Sequence, residues 1–280
     1  MNDQDITVII TSFHSGEKIF NCIESINKDV KIIVVENSND QELKEKIQSK
    51  YKNVDCILSK ENLGYGAGNN LGLSKVLTNY ALIVNPDVTL ENDTIDNFFL
   101  TIKNVKNFGI IAPISKDEIY TNFSIDNDKN LKEVESVKGF AMFLSMNNLK
   151  EIKFFDENFF LYFEEIDLCK RIRKNDIKIY IDPSIKVNHL GGTSHNSEIN
   201  KTMELSRNWH WMWSSFYYHK KHYGYFNALF KISPKLLSSL IKFIFYLLIF
   251  QKFKSDIYKH RVFGIINSVL LKKSWYRPRI

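Results

Sequence analysis

The sequence predicts an α/β protein with an open, mostly parallel central sheet covered by helices on both faces, followed by a C-terminal helical extension. Three observations lead there. Short β-branched runs alternate with helical patterns through the first half of the chain, the rhythm of repeated strand–helix–strand units. Segments rich in Asn, Asp and Gly follow those runs, where such a sheet presents its strand ends to a ligand. The 280 residues are enough for one large domain and an appendage, and 44% apolar with 25% charged residues is ordinary for a folded chain.

In order, residues 6–10 read as a strand, 17–26 as a helix, 32–35 as a strand, 41–51 as a helix, 54–58 as a strand and 70–78 as a helix. Residues 81–84 form a short apolar run that ends at Asn85-Pro86-Asp87. The second half is less regular. Residues 134–146 read as a strand region interrupted by Gly139, and 154–163 form a dense aromatic stretch. A helix follows over 164–174, a strand over 177–181, and a long helix over 198–223. Residues 113–133 and 183–197 carry loop composition. The expected division is a catalytic domain over 1–198, with a nucleotide-sugar half (1–112) and an acceptor half (113–198), and an extension over 199–280.

Composition excludes some classes. Cys22, Cys56 and Cys169 are too few and too scattered for a disulfide framework or a zinc site, which points to a reducing compartment. The start of the chain lacks the basic and apolar runs of a signal peptide, so a cytoplasmic location is expected. The net charge is +6, but residues 252–280 hold eight Lys/Arg against Asp256 alone, so the rest is nearly neutral. A basic tail beside an apolar run suits an anionic membrane surface better than nucleic acid, and no nucleic-acid partner is expected.

Five segments carry chemistry. Glu36-Asn37-Ser38 follows the second strand and offers a carboxylate and an amide that could read a nucleobase, or simply a turn. Asn62-Leu63-Gly64-Tyr65-Gly66-Ala67-Gly68-Asn69-Asn70 has three glycines in five residues, letting backbone N–H groups approach a phosphate. It is not a dinucleotide fingerprint, because Thr11-Ser12-Phe13-His14 follows the first strand. Asn85-Pro86-Asp87 puts a carboxylate at a strand end, where it could hold a divalent cation. Glu164-Glu165-Ile166-Asp167 opens a helix with three carboxylates, candidates for a general base. His189 follows another strand and is a candidate metal ligand.

In this order the segments VVENSND, NLGYGAGNNLG, NPDV, KGFAMFL, FDENFFLYFEEIDLCKR and HLGGTS resemble family-two glycosyltransferases of the GT-A fold, in particular the rhamnosyltransferase-like branch. The resemblance runs from about residue 6 to 197. It implies an inverting, metal-dependent transfer of a sugar from a nucleotide diphosphate to a glycan or lipid-linked acceptor in cell-surface polysaccharide synthesis, with rhamnose from dTDP-rhamnose as the branch-level donor. It implies that Thr11, Glu36 and Asn37 line the base pocket, and that Asn62, Gly64 and Asn70 line the ribose and diphosphate. It also implies that Asn85 and Asp87 belong to the donor site and that Asp87 and His189 hold Mg²⁺ or Mn²⁺. Gly139 and Ala141 fall on the acceptor side. Glu165 would be the catalytic base, with Glu164 and Asp167 as neighbours that orient the acceptor or replace it. Glu36 and Glu165 both stand where the family usually has Asp, which leaves a catalytically weak binding protein as the alternative.

The run 236–250 is the most apolar in the chain, too short to span a bilayer and broken by Lys242. Lys235, Ser238, Ser239, Lys242 and Tyr246 recur at three- and four-residue spacing, the single polar stripe of an interfacial helix, so peripheral membrane attachment is expected.

Overall fold

The computed structural model describes residues 5–115, 130–189 and 199–278. The chain divides into two compact units: residues 1–155 with 165–196, and residues 156–164 with 197–280.

The first unit is built on one sheet. Its strands are β1 (Ile6–Ser12), β2 (Lys31–Glu36), β3 (Val54–Leu58), β4 (Tyr80–Val84), β5 (Val88–Leu90), β6 (Phe108–Ser115), β7 (Lys132–Glu133), β8 (Ala141–Ser145) and β9 (Lys178–His189). The order across the sheet is β3-β2-β1-β4-β8-β6-β9-β5, with β7 also on β9. β3, β2, β1 and β4 are parallel, as the strand–helix rhythm requires. Beyond β4 the sheet is mixed: β8 runs antiparallel to β4 and β6, and β5 antiparallel to β9, while β6 and β9 are parallel. Strands β1, β2 and β4 are almost continuously buried, which is why they read as unbroken β-branched runs rather than alternating ones. Helices α1 (Lys18–Glu24), α2 (Gln41–Lys50), α3 (Tyr65–Leu73), α4 (Thr94–Asn104), α5 (Met146–Ile152) and α6 (Glu164–Arg173) connect them. Asp40 caps α2, accepting from the Leu43 amide at 2.9 Å. Phe98 and Phe143 stack with centroids 4.8 Å apart at the centre of the core, and Tyr80 stacks on Phe143 at 5.1 Å.

Three boundaries differ from the sequence reading. α3 starts at Tyr65 rather than near residue 70, so the glycine-rich segment is itself helical. Gly64 sets that start with φ 84°, a left-handed conformation that a side chain would disfavour. β9 runs on to His189 instead of ending at residue 181. Pro183, which cannot donate to a ladder, falls where the β6–β9 register shifts, between the Pro113–Asp182 and Ile114–Lys186 pairs. Asp182 stabilises that irregularity by accepting from the Ser184 amide at 2.9 Å. The expected loop at 113–133 is strand as far as Ser115 and again at Lys132–Glu133. Residues 116–129 and 190–198 lie outside the described residues.

The second unit is helical: α7 (Asn200–Tyr223), α8 (Tyr225–Leu248) and α9 (Lys252–Val269). Its small apolar core comprises Met212, Phe216, Ala228, Ile232 and Ile265. α9 lies very close to α7 at Gly264, where a Cβ would sit 2.2 Å from the Trp209 carbonyl oxygen. His210 is buried, facing the Tyr276 carbonyl at 2.8 Å and the Ser274 hydroxyl at 3.1 Å. Burial drives its pKa down to about 3. The first half of α8 feeds the core, and the second half turns Ser239, Phe243 and Tyr246 inward. Leu237, Ile241, Ile244, Phe245, Leu248 and Phe250 face outward instead. The expected polar stripe is therefore partly the seam of the helix. Tyr246 stacks on Tyr258 of α9 at 5.5 Å, and the Lys242 ammonium lies 5.4 Å from the Tyr258 ring.

Candidate active site

The ends of β1 and β2, with the glycine segment between them, form a single bonded frame. The Asn37 amide donates to the Ser12 carbonyl at 2.7 Å. The Asn37 side chain donates to Asn62 Oδ1 at 3.2 Å and the Gly64 carbonyl at 3.1 Å, and accepts from the Leu63 amide at 3.0 Å. Asn62 Oδ1 also accepts from the Gly64 amide at 3.0 Å. Thr11 donates to Asn69 Oδ1 at 2.9 Å, and Asn69 donates on to the Tyr65 carbonyl at 3.0 Å. α3 approaches β1 so closely that a Cβ on Gly68 would lie 2.7 Å from Thr11 Cγ2. These groups shape a backbone cradle at the start of α3.

Glu36 and Asn70, expected to line the base pocket and the ribose and diphosphate, both make hydrogen bonds within the protein. Glu36 is fully buried, and its carboxylate accepts from the Ser38 amide at 3.1 Å and the Asp40 amide at 2.6 Å, as well as from the Ser38 hydroxyl. It organises the turn after β2. Asn70 donates to the Phe155 carbonyl at 2.9 Å and accepts from the Phe155 amide at 3.0 Å, pinning α3 to the segment that leads towards α6.

Asp87 and His189 do meet. Val88 pairs with His189 in the β5–β9 ladder, which sets Asp87 beside the imidazole. Asp87 Oδ1 is 3.6 Å from His189 Nε2, and both residues are buried. The imidazole stacks on Phe140 at 4.7 Å, and the Phe140 carbonyl accepts from the Asn85 amide at 2.8 Å, tying this pair to the Asn-Pro-Asp turn. Asp87 Oδ1 is buried with no hydrogen-bond partner among the described residues. Its field adds to burial in pushing the Cys22 thiol far above the ordinary range. A hard carboxylate oxygen beside a ring nitrogen fits Mg²⁺ or Mn²⁺. Among the described residues no group of three or more His, Cys, Asp or Glu could hold a metal, so protein ligands alone do not complete such a site.

Glu165 lies in the first turn of α6. Burial raises its pKa, opposed by hydrogen bonds from its own amide and that of Ile166. One turn on, burial pushes the Cys169 thiol up to about 12, and the charge of Glu165 adds to that rise while a hydrogen bond with the Val137 backbone opposes it. This face of α6 thus lies by the 137–139 segment. There the Tyr65 hydroxyl donates to the Gly139 carbonyl, and a Cβ on Gly139 would sit 3.1 Å from that hydroxyl. Ala141 pairs with Val84 at the end of β4. Asp167 is fully buried and paired with Arg171 at 2.8 Å. Arg171 also donates to the carbonyls of Ile152 at 3.0 Å, Lys153 at 2.6 Å and Phe154. That geometry positions α6. Glu164, buried, is grouped with the helical unit.

Sequence reasoning passed over Tyr65, Asn69, Phe140 and Arg171. Only Arg171 had a signal, the four-residue spacing from Asp167 on a helix.

The low-salt glycan biosynthesis hexosyltransferase Agl10 of Haloferax volcanii is 29% identical over 198 residues, covering 62% of this chain and 64% of that relative. The rhamnosyltransferase WbbL of Escherichia coli is 25% identical over 241 residues, covering 73% of this chain and 89% of its own. The mannosyltransferase PcManGT of Pyrobaculum calidifontis, solved with GDP-Man and Mn²⁺, superposes with a TM-score of 0.60 at 10% identity over 96% of this chain and 88% of its own. That likeness shows the GT-A-type fold. The profile described as Glycosyl transferase family 2 matches residues 7–167, and the chain belongs to that family.

Proposed function

We propose that the protein is an inverting glycosyltransferase that moves a sugar from a nucleotide diphosphate to a glycan or lipid-linked acceptor in polysaccharide synthesis. The observation that carries this reading is the buried Asp87 oxygen facing His189 at the end of the parallel strands. Rhamnose from dTDP-rhamnose is the first donor to test, supported by the name of the Escherichia coli relative.

Asp87 and His189 would hold a divalent cation, with the donor's phosphate oxygens as further ligands. When bound, Mg²⁺ or Mn²⁺ supplies Lewis-acid stabilisation of the departing diphosphate. The cradle of Thr11, Asn37, Asn62, Gly64 and Asn69 would present backbone amides to the nucleotide, with Glu36 and Asn70 holding its shape. Glu165 would take the proton from the acceptor hydroxyl as that oxygen bonds to the anomeric carbon and the bond to the diphosphate breaks. One displacement inverts the configuration. A raised pKa makes Glu165 a stronger base than an ordinary glutamate, which favours this role over Asp167, whose charge is committed to Arg171. A thermal-shift panel of nucleotide sugars with Mn²⁺ tests the reading: a donor should raise the melting temperature of the wild type. No stabilisation by any nucleotide sugar would count against it.

A peripheral position at an anionic membrane is supported by the outward apolar side of α8. Phe250 is 94% exposed and Leu248 70%, with Lys242, Lys252 and Lys254 close by in the chain. No helix among the described residues is long and apolar enough to cross a membrane. Sedimentation with phosphatidylglycerol vesicles at low salt should capture the wild type and lose a Leu248→Glu/Phe250→Glu variant, and equal capture of both would refute the assignment.

A further inference from the structure

Within the helical unit a cavity of about 210 Å³ is lined by Tyr162, Glu204, Arg207, Asn208, Trp211 and Arg261. Four of these recur on α7 at positions 204, 207, 208 and 211, the spacing that lines one face of a helix. Trp211 departs from its neighbours. Trp209 and Trp213 are buried, whereas Trp211 is 42% exposed. Its ring meets Tyr162 edge-on at 5.1 Å and Phe163 at 5.4 Å. Tyr162 and Phe163 are held at φ 69° and 71°, a left-handed conformation that aromatic residues rarely adopt. Two such residues in succession mark a turn that its surroundings enforce, and it presents Tyr162 at the cavity.

On the basic side of the cavity, Arg261 is held in place. Arg261 Nε donates to Asn208 Oδ1 at 2.6 Å, and the guanidinium lies 5.2 Å from the Tyr258 ring. Asn208 donates in turn to the Glu204 carbonyl at 2.8 Å and its carboxylate at 2.7 Å. Among the described lining residues, two guanidinium groups stand with one carboxylate. An exposed indole and a phenol supply apolar ring faces, and guanidinium groups pair with phosphate.

We propose that this cavity is a subsite for a sugar bearing a phosphate, with the phosphate on Arg207 and Arg261 and the sugar ring on Trp211 and Tyr162. The proposal deepens the glycosyltransferase reading and rests on it for the ligand's role as acceptor. The same phosphate chemistry is offered by a lipid headgroup, so the test separates the two.

Tryptophan fluorescence of the full chain is titrated with glucose 1-phosphate, methyl glucoside, inorganic phosphate and phosphatidylglycerol vesicles. Binding is read without turnover, so an inactive enzyme would not obscure it. Glucose 1-phosphate should quench saturably and more tightly than either half-ligand. Arg207→Gln and Arg261→Gln should each raise its Kd at least tenfold with nucleotide binding unchanged, and Trp211→Phe should remove the signal. Should an Arg261 variant melt early, Arg207→Gln and Trp211→Ala carry the test, since neither replaces the Arg261–Asn208 bond. Equal binding of methyl glucoside, an unchanged Kd in the Arg207 variant, or vesicles that bind through these arginines while glucose 1-phosphate does not would each overturn the proposal.

Discussion

Replacing Arg171 separates a positioning role for Asp167 from a catalytic one. Asp167 is fully buried, and the Arg171 side chain is only 18% exposed. Arg171→Ala removes the guanidinium paired with that buried carboxylate, and breaking a buried pair typically costs about 3–5 kcal/mol. The three carbonyls that lose a donor add little where water can replace it. With a urea slope of roughly 2–3 kcal/mol/M for a protein of this size, the unfolding midpoint followed by far-UV circular dichroism should fall by about 1–2 M. Arg171→Lys keeps the charge but loses the planar fork, and should fall by less. Asp167→Asn should likewise shift the midpoint while leaving kcat per folded molecule within about tenfold of the wild type. A midpoint shift for Arg171→Ala below about 0.3 M would refute the buried-pair argument. An Asp167→Asn enzyme of unchanged stability with kcat lowered by about 10² or more would make Asp167 the base.

Two further predictions follow from titration. Glu165→Gln should lower kcat by a factor of roughly 10²–10⁴ while leaving donor affinity intact, and the wild-type acid limb of kcat should lie above the ordinary glutamate range, because the ionised base is needed and burial disfavours it. A stopped assay across pH reads both, and an acid limb at the ordinary value would contradict the raised pKa of Glu165. His210 has a folded pKa of about 3, below its ordinary 6.5. Between those values the unfolded chain takes up a proton that the native state refuses. Stability should therefore fall as pH drops from 6.5, by up to about 1.4 kcal/mol per pH unit, and His210→Gln should remove that slope. Parallel stability curves for wild type and variant would show that the imidazole is protonated in place.

Much of the first half of the chain was legible because its signals are local. β1, β2, β3 and β4 are β-branched runs bounded by polar turns, and Asp87 is visible as a carboxylate just after an apolar strand. The glycine segment misled at its boundary: three glycines imply a loop by propensity, yet contact with β1 overrides that and permits only a glycine at position 68. The pairing of Asp87 with His189 depends on a strand register linking residues about a hundred apart, which no local pattern encodes. The same holds for Asn70, whose two bonds to Phe155 join α3 to a segment 85 residues further along the chain. In α8 the polar spacing was readable, but which side faces solvent depends on α9: Ser239 is buried and Leu248 exposed.

The central claim is that Asp87 and His189 anchor a metal-assisted departure of a nucleoside diphosphate. Its most direct test is release of nucleoside diphosphate from a panel of nucleotide sugars, measured with and without Mn²⁺, for the wild type, His189→Ala and Asp87→Ala. The wild type should release product from one donor only when the cation is present, His189→Ala should do so more slowly, and Asp87→Ala should not do so above background. Full release by Asp87→Ala, or wild-type release that persists unchanged in chelator, would contradict the account.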